Sequence, residues 1–294
     1  MTTTTTTFAA VAAPFGRDLD AAFARIEGLV ADARARGVQL LALPEATLGG
    51  YLASLGDHGV AEVLPEHELP PALDVDGPEV ARLAAIAGDM VVTAGFCESD
   101  GADRYNTAVA VTGGGVLGVH RKVHQPLGES NVYAAGDGFR AFETPVGRMG
   151  MMICYDKAFP EAARTLAVDG AEVVVCMSAW PGSRTGAAAD LAEDRWTRRF
   201  DLFDQARALE NQIVWVSANQ SGTFGSLRFV CSAKVVGPGG DVLATTGTAP
   251  GTAVASVDVA EALNGARRSM GHLRDRRPDT YGRAGSGVGA GAAA

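Results

Sequence analysis

Three stretches end an apolar run on a residue with usable chemistry. In MMICYDKAFPEAAR (151–164) the run stops at Cys154, and a Pro-Glu pair then opens a helix. In VQLLALPEA (38–46) Pro44 closes the run and Glu45 follows, and in GVLGVHRK (115–122) the last residue is Lys122. A thiol attacks as thiolate, and a helix N-terminus or a nearby cation favours that form, so Cys154 is a candidate nucleophile. The backbone N–H groups of a strand–turn–helix junction also converge on one point, as an oxyanion requires. Glu45 is the stronger candidate base, because strand C-terminal ends gather at the ligand crevice of an α/β sheet. A buried Lys122 would stabilise oxyanion and thiolate together. Each residue has an ordinary reading beside this one: a packed thiol, a helix cap or solvated carboxylate, a lysine that blunts a sheet edge.

His120 and His124 offer a different base, in a Cys-His pair of the papain kind. Their four-residue spacing falls on a strand end rather than a helix, which argues against a zinc pair. Cys97, Cys176 and Cys231 lie inside apolar or alternating strand patterns and read as packing.

Alternating elements must deliver these residues. Residues 18–36 carry an amphipathic helical pattern that Gly37 stops. Strands are expected over 38–43, 90–96, 149–154, 172–177 and 213–218, and helices over 77–87, 159–169 and about 187–210. Gly113–Gly115 and the turn GPGG make hairpins of 106–122 and 229–246. The result is one α/β domain with helices on the outer faces of its sheets, and the hairpins argue against an all-parallel Rossmann sheet.

The 294 residues, 47% of them hydrophobic, suffice for a large core, and a net charge of −9 argues against a nucleic-acid partner. Local arginine clusters (195–199, 267–277) are interspersed with acids and read as solvated helix faces. Four cysteines make no disulfide framework, no apolar stretch approaches the ~20 residues of a membrane span, and no signal peptide is evident, so a reducing, cytoplasmic setting is expected. Residues 1–7, a threonine run, and 282–294, a Gly/Ala tail, read as disordered flanks of a domain over 8–281. The tail's glycines follow no strand and open no helix, so they form no phosphate loop.

The series LALPEATLGGY, GVHRKVHQPLGESNVYAAGDGF and GRMGMMICYDKAFPEAARTLAVDGAEVVV resembles the nitrilase superfamily of carbon–nitrogen hydrolases. The likeness continues through SAWP, DQARALENQIVWVSANQSG, VVGPGGDVLA and LRDRRPDTY, in order, over about residues 8–281. It implies an αββα sandwich that pairs as αββα–αββα, so a homodimer or higher homo-oligomer. It also implies a Glu45–Lys122–Cys154 triad, with a second glutamate at Glu129. Under that reading Lys122 and the Tyr155 N–H hold the oxyanion, no metal or organic cofactor is needed, and the partner is a small amide. Cys154-Tyr155-Asp156, where nitrile hydrolases of this superfamily carry Cys-Trp-Glu, is similar to the amidase-type branches. AFPEAAR resembles N-carbamoyl amine and aliphatic amidases, and SAWP with ARALENQ resembles ω-amidases. The arginine that ω-amidases carry after the cysteine is absent, with Lys157 and Ala158 there instead. The segment from Lys122 to Tyr133 also lacks the further histidine of the D-carbamoylases. A small linear amide is therefore the expected substrate, ahead of a nitrile or an acyl-transfer role, and a catalytically silent scaffold is the third alternative. Tyr51, Tyr155, Trp180 and Trp196 are candidate pocket walls, and Lys157 and Arg184 candidate contacts for a substrate anion. Arg164 is expected to brace the active-site helix against an acid.

Overall fold

A computed structural model of the chain describes residues 5–56 and 65–281. In chain order the elements are β1 (Thr6–Ala13), α1 (Leu19–Ala35), β2 (Leu40–Ala42), β3 (Ala72–Leu73), α2 (Pro78–Ala87), β4 (Val91–Asp100), β5 (Asp103–Thr112) and β6 (Gly115–Arg121). There follow β7 (Phe142–Thr144), β8 (Gly147–Ile153), α3 (Pro160–Val168), β9 (Val173–Ser178), α4 (Arg195–Asn211) and β10 (Val214–Gln220). The chain closes with β11 (Thr223–Phe224), β12 (Leu227–Arg228), β13 (Lys234–Val236), β14 (Val242–Thr245), β15 (Gly251–Val257) and α5 (Val259–Arg267).

Hydrogen bonds join most strands in one path, but the central link is narrow: β1 meets β10 only at Ala12–Asn219 and Ala13–Gln220. On either side lie two halves, ordered β15-β1-β2-β4-β5-β6 and β14-β13-β10-β9-β8-β7. Strand alternation decides how they stack. Phe8, Ala10 and Ala12 of the first half share one buried cluster with Met149, Met151, Ile153, Val175 and Val216 of the second. Their neighbours Ala9 and Val11 pack instead with Phe23 and Ile26 of α1 and Leu83 of α2. Met152, Val174 and Trp215 pack with Leu166 of α3 and Ala208 of α4. The layers are thus helix, sheet, sheet, helix, as the resemblance implied.

Thr6 and Thr7, expected in a disordered run, instead open β1 and pair with Val257 and Ser256 of β15. Residues 1–4 and 282–294 lie outside the described residues. The long helix expected from 187 starts only at Arg195, where Asp194 caps it by accepting from the Trp196 N–H. The second hairpin keeps its GPGG turn, but its strands begin at Lys234 rather than 229.

Strands β1, β2, β8, β9 and β10 run parallel. Glu45, Cys154, Ala179 and Ser221 therefore follow strand ends at one edge of the molecule, and Lys122, just after β6, joins them.

Candidate active site

Glu45 is held by a turn that few sequences could form. Ala46 after it has φ +56°, and the Thr47 hydroxyl donates to the Pro44 carbonyl at 2.6 Å. The turn packs so tightly on β4 that a Cβ at Gly95 would lie 2.6 Å from the Ala46 nitrogen. The carboxylate is fully buried and accepts three hydrogen bonds. Its Oε1 accepts from Lys122 Nζ (2.9 Å) and Asn106 Nδ2 (2.7 Å), and its Oε2 from the Ala179 N–H (2.6 Å).

Lys122 Nζ is shared. It donates at 2.9 Å to Oε1 of Glu129, whose other oxygen lies 2.8 Å away. Glu129 Oε1 also accepts from the Tyr51 hydroxyl (2.5 Å) and Asn106 Nδ2 (3.1 Å). Two carboxylates thus share one ammonium and one amide in a buried site. Burial pushes the Glu129 carboxyl up to about 6, the Glu45 charge adds to this, and Lys122 opposes it. Burial alone would lower the Lys122 pKa, but the two carboxylates outweigh it and hold the ammonium well above its ordinary range.

Cys154 sits where β8 breaks into a 3₁₀ turn, Cys154–Ala158, with φ +50°. A non-glycine residue in that region is strained and persists only where its surroundings fix it. Asp156 supplies part of the fixing. It accepts from the Ile153 N–H (3.1 Å) and the His124 N–H (2.9 Å), and its oxygens lie 3.0 Å from His120 Nε2 and 2.9 Å from His124 Nδ1. Burial opposes ionisation of Asp156, but the two histidines and the backbone hold its pKa below the usual range. The histidines are thus committed to Asp156, and neither serves as the base of a Cys-His pair. Among the described residues no cluster of three or more His, Cys, Asp or Glu forms a metal site.

The thiol departs from the sequence expectation. Helix α3 begins only at Pro160, so a short turn separates it from Cys154. Burial, Glu45 and Glu129 all push the thiol pKa well up, and only Lys122 pulls it down. The resting sulfur is therefore a neutral thiol that needs a base.

The cavity beside it holds about 530 Å³ and is lined by Cys154, Tyr155, Tyr51, Trp180, Trp196 and Arg184 among others. Lys157 does not line it. Expected at a substrate anion or on the surface, it is fully buried, bonds Asp204 at 2.7 Å, and has its ammonium 3.1 Å from the Phe200 ring centroid. It follows Cys154 by three residues, and the short turn directs it into the core beneath α4. Arg164 braces α3 as expected, but through the backbone carbonyl of Glu210 (2.6 Å) rather than an acid side chain.

Sequence reasoning missed Asn106, which ties the two carboxylates together. Its only signal is a polar residue opening the apolar run NTAVAVT. It also missed Asp204 and Arg207 of α4, which grip the turn that follows β8 at the Lys157 ammonium and at the carbonyls of Lys157 (2.8 Å) and Ala158 (3.2 Å).

The profile of the carbon-nitrogen hydrolases matches residues 7–264. The chain belongs to the carbon-nitrogen hydrolase family. This hydrolase is 32% identical to a nitrilase of Pyrococcus abyssi, over 89% of its own length and 93% of the relative's. It is 27% identical to an N-carbamoylputrescine amidase of Arabidopsis thaliana, over 90% of each chain. Among solved structures it matches an amidase of Nesterenkonia sp. AN1 with a TM-score of 0.74 and 25% identity, over 94% of this chain and 95% of that one. In that structure the acetamide moiety of fluoroacetamide is covalently added at the active-site cysteine. The hydrolase is thus an enzyme of the nitrilase superfamily acting on carbon–nitrogen bonds. No helix among the described residues is long and apolar enough to cross a membrane.

Proposed function

We propose that the enzyme hydrolyses a small linear amide to acid and ammonia through a thioester on Cys154. The observation that carries this reading is the strained Cys154, set in the cavity wall beside a buried cluster of Glu45, Lys122 and Glu129. Because the thiol rests protonated, Glu45 takes its proton as Sγ attacks the amide carbonyl carbon. The oxyanion is held by the Lys122 ammonium and the Tyr155 N–H, which lies at the second position of the 3₁₀ turn and so has no partner within it. Glu45 returns the proton to the leaving nitrogen as the C–N bond breaks. It then takes a proton from the water that attacks the thioester, and acid and free thiol are released.

Glu129 orients Lys122. Its Tyr51 and Asn106 bonds fix the carboxylate, and the carboxylate fixes the ammonium. The pairing of two subunits expected from the resemblance, and a cytoplasmic setting, belong to the same proposal.

The test is a panel of aliphatic amides, N-carbamoyl amines and nitriles assayed for ammonia, with intact-mass detection of the acyl adduct. Amides should release ammonia and add an acyl mass that Cys154→Ala lacks. Release from nitriles alone would replace this reading with nitrile hydrolysis, and full turnover by Cys154→Ala would end the covalent route.

A further inference from the structure

The segment around the pocket mouth, residues 184–198, is crowded with charge, and its acids are all engaged. Asp190 caps a short turn by accepting from the Ala192 N–H at 2.9 Å. Glu193 pairs with Arg198 at 2.6 Å. Asp194 caps α4 and accepts from the Ser183 hydroxyl (2.9 Å) and the Ala188 N–H (3.2 Å). Arg184 donates to the Gly56 carbonyl at 2.8 Å.

Arg195 differs from its neighbours. It forms no ion pair with a described residue, although three acids lie within five positions of it. Its Nη2 donates instead to the carbonyl (2.6 Å) and hydroxyl (3.1 Å) of Thr185, and both residues line the active-site cavity. One nitrogen is anchored on a neutral partner, and Nη1 and Nε keep their donors. An exposed arginine ordinarily samples many rotamers, whereas this one is oriented before any ligand arrives. Around it the wall is largely apolar, with Leu55, Leu127, Trp180 and Trp196, and no described lining residue is a carboxylate.

We propose that Arg195 determines substrate specificity: the cavity selects amides whose apolar body ends in a carboxylate, which the free edge of the Arg195 guanidinium receives. The planar guanidinium matches a carboxylate in charge and shape. This rests on the hydrolase reading for which end of the substrate meets Cys154. The same wall disfavours a substrate ending in a cation.

The experiment uses three amides of nearly equal length: glutaramate, pentanamide and 5-aminopentanamide. Their binding to Cys154→Ala protein is measured by calorimetry, and ammonia release by the wild type is measured separately. Glutaramate should bind about tenfold tighter than pentanamide, the scale of a charge-assisted contact still open to solvent, and 5-aminopentanamide weakest. Adding Arg195→Ala should erase the gap, with circular dichroism checking that the protein is folded. Adding Arg195→Glu should reverse the order. Undetectable glutaramate binding, no gap between glutaramate and pentanamide, or a gap that survives Arg195→Ala each overturns the inference. A charge preference without ammonia release from any amide would sink the proposed reaction and leave this assignment standing.

Discussion

Two buried charge clusters meet the same short turn, one near Cys154 and one at Lys157, and they are balanced in opposite senses. Glu45, Lys122 and Glu129 set two carboxylates around one ammonium. Lys157, Asp204 and Lys234 set two ammoniums around one buried carboxylate, with the half-exposed Asp201 3.0 Å from Lys234. The bond lengths are alike, so the charge count makes the difference. Burial first, and the surplus of carboxylate with it, lifts Glu129 to about 6 and pushes the nearby thiol well up, which leaves protons that can move. In the other cluster burial opposes ionisation of Asp204, but Lys157 and Lys234 hold its pKa below the usual range, and Trp215 Nε1 adds a bond at 2.9 Å. The first arrangement is built to react and the second to hold.

The largest expected effect breaks the reactive cluster. Under the proposed mechanism Glu45→Gln removes the base and Lys122→Ala the oxyanion cation, and each should lower ammonia release per folded enzyme by roughly 10²–10⁴-fold. Circular dichroism checks the folded fraction of each variant, because Lys122→Ala leaves two buried carboxylates without their shared counter-charge. A loss below tenfold for Glu45→Gln would show that another group takes the thiol proton.

Breaking the other cluster should cost stability instead. Asp204→Asn leaves two buried ammoniums without their shared counter-charge, a defect of about 3–5 kcal/mol. Thermal unfolding should drop by roughly 10 °C for a chain of this size. Adding Lys157→Met, which removes one stranded ammonium, should restore part of that loss. If Asp204→Asn left the melting point alone but abolished activity, the division between the clusters would be wrong.

The sequence discloses these clusters unequally, and the cause is physical. Glu45, Lys122 and Cys154 each close an apolar run, so strand ends alone nominate them, and a parallel sheet brings strand ends together. Lys157 and Asp204 carry no such signal. A lysine near a helix start ordinarily reaches solvent, and only the 3₁₀ turn and the overlying α4 bury this one. Asp204 lies in a charge-rich helix whose pattern reads as solvated. Strand β1 was hidden in a similar way. Half of its run TTFAAVAA is alanine, which marks a strand poorly, and it is a strand because β2 and β15 pair with it on both sides. The flanking hairpins were legible because glycine turns are local, whereas pairing partners far along the chain are not.

The smallest effect tests whether the carboxylate surplus is real. Glu129 ionises near 6 in the folded chain, against an unperturbed value of 4.5. A carboxyl raised on folding favours the folded state while protonated, and that preference is lost as pH rises from about 4.5 through 6. The shift corresponds to about 2 kcal/mol. Wild-type stability, measured by urea unfolding, should therefore fall by about 2 kcal/mol more than that of Glu129→Gln between pH 4.5 and 7. The same ionisation should appear in catalysis, because only the carboxylate form orients the Lys122 ammonium fully. The wild-type kcat/KM for an amide should rise through a midpoint near pH 6, and Glu129→Gln should lose that limb along with part of its maximum. An acid limb that stays at pH 6 in Glu129→Gln would assign the titration to another group, and the charge imbalance would then no longer separate the reactive cluster from the static one.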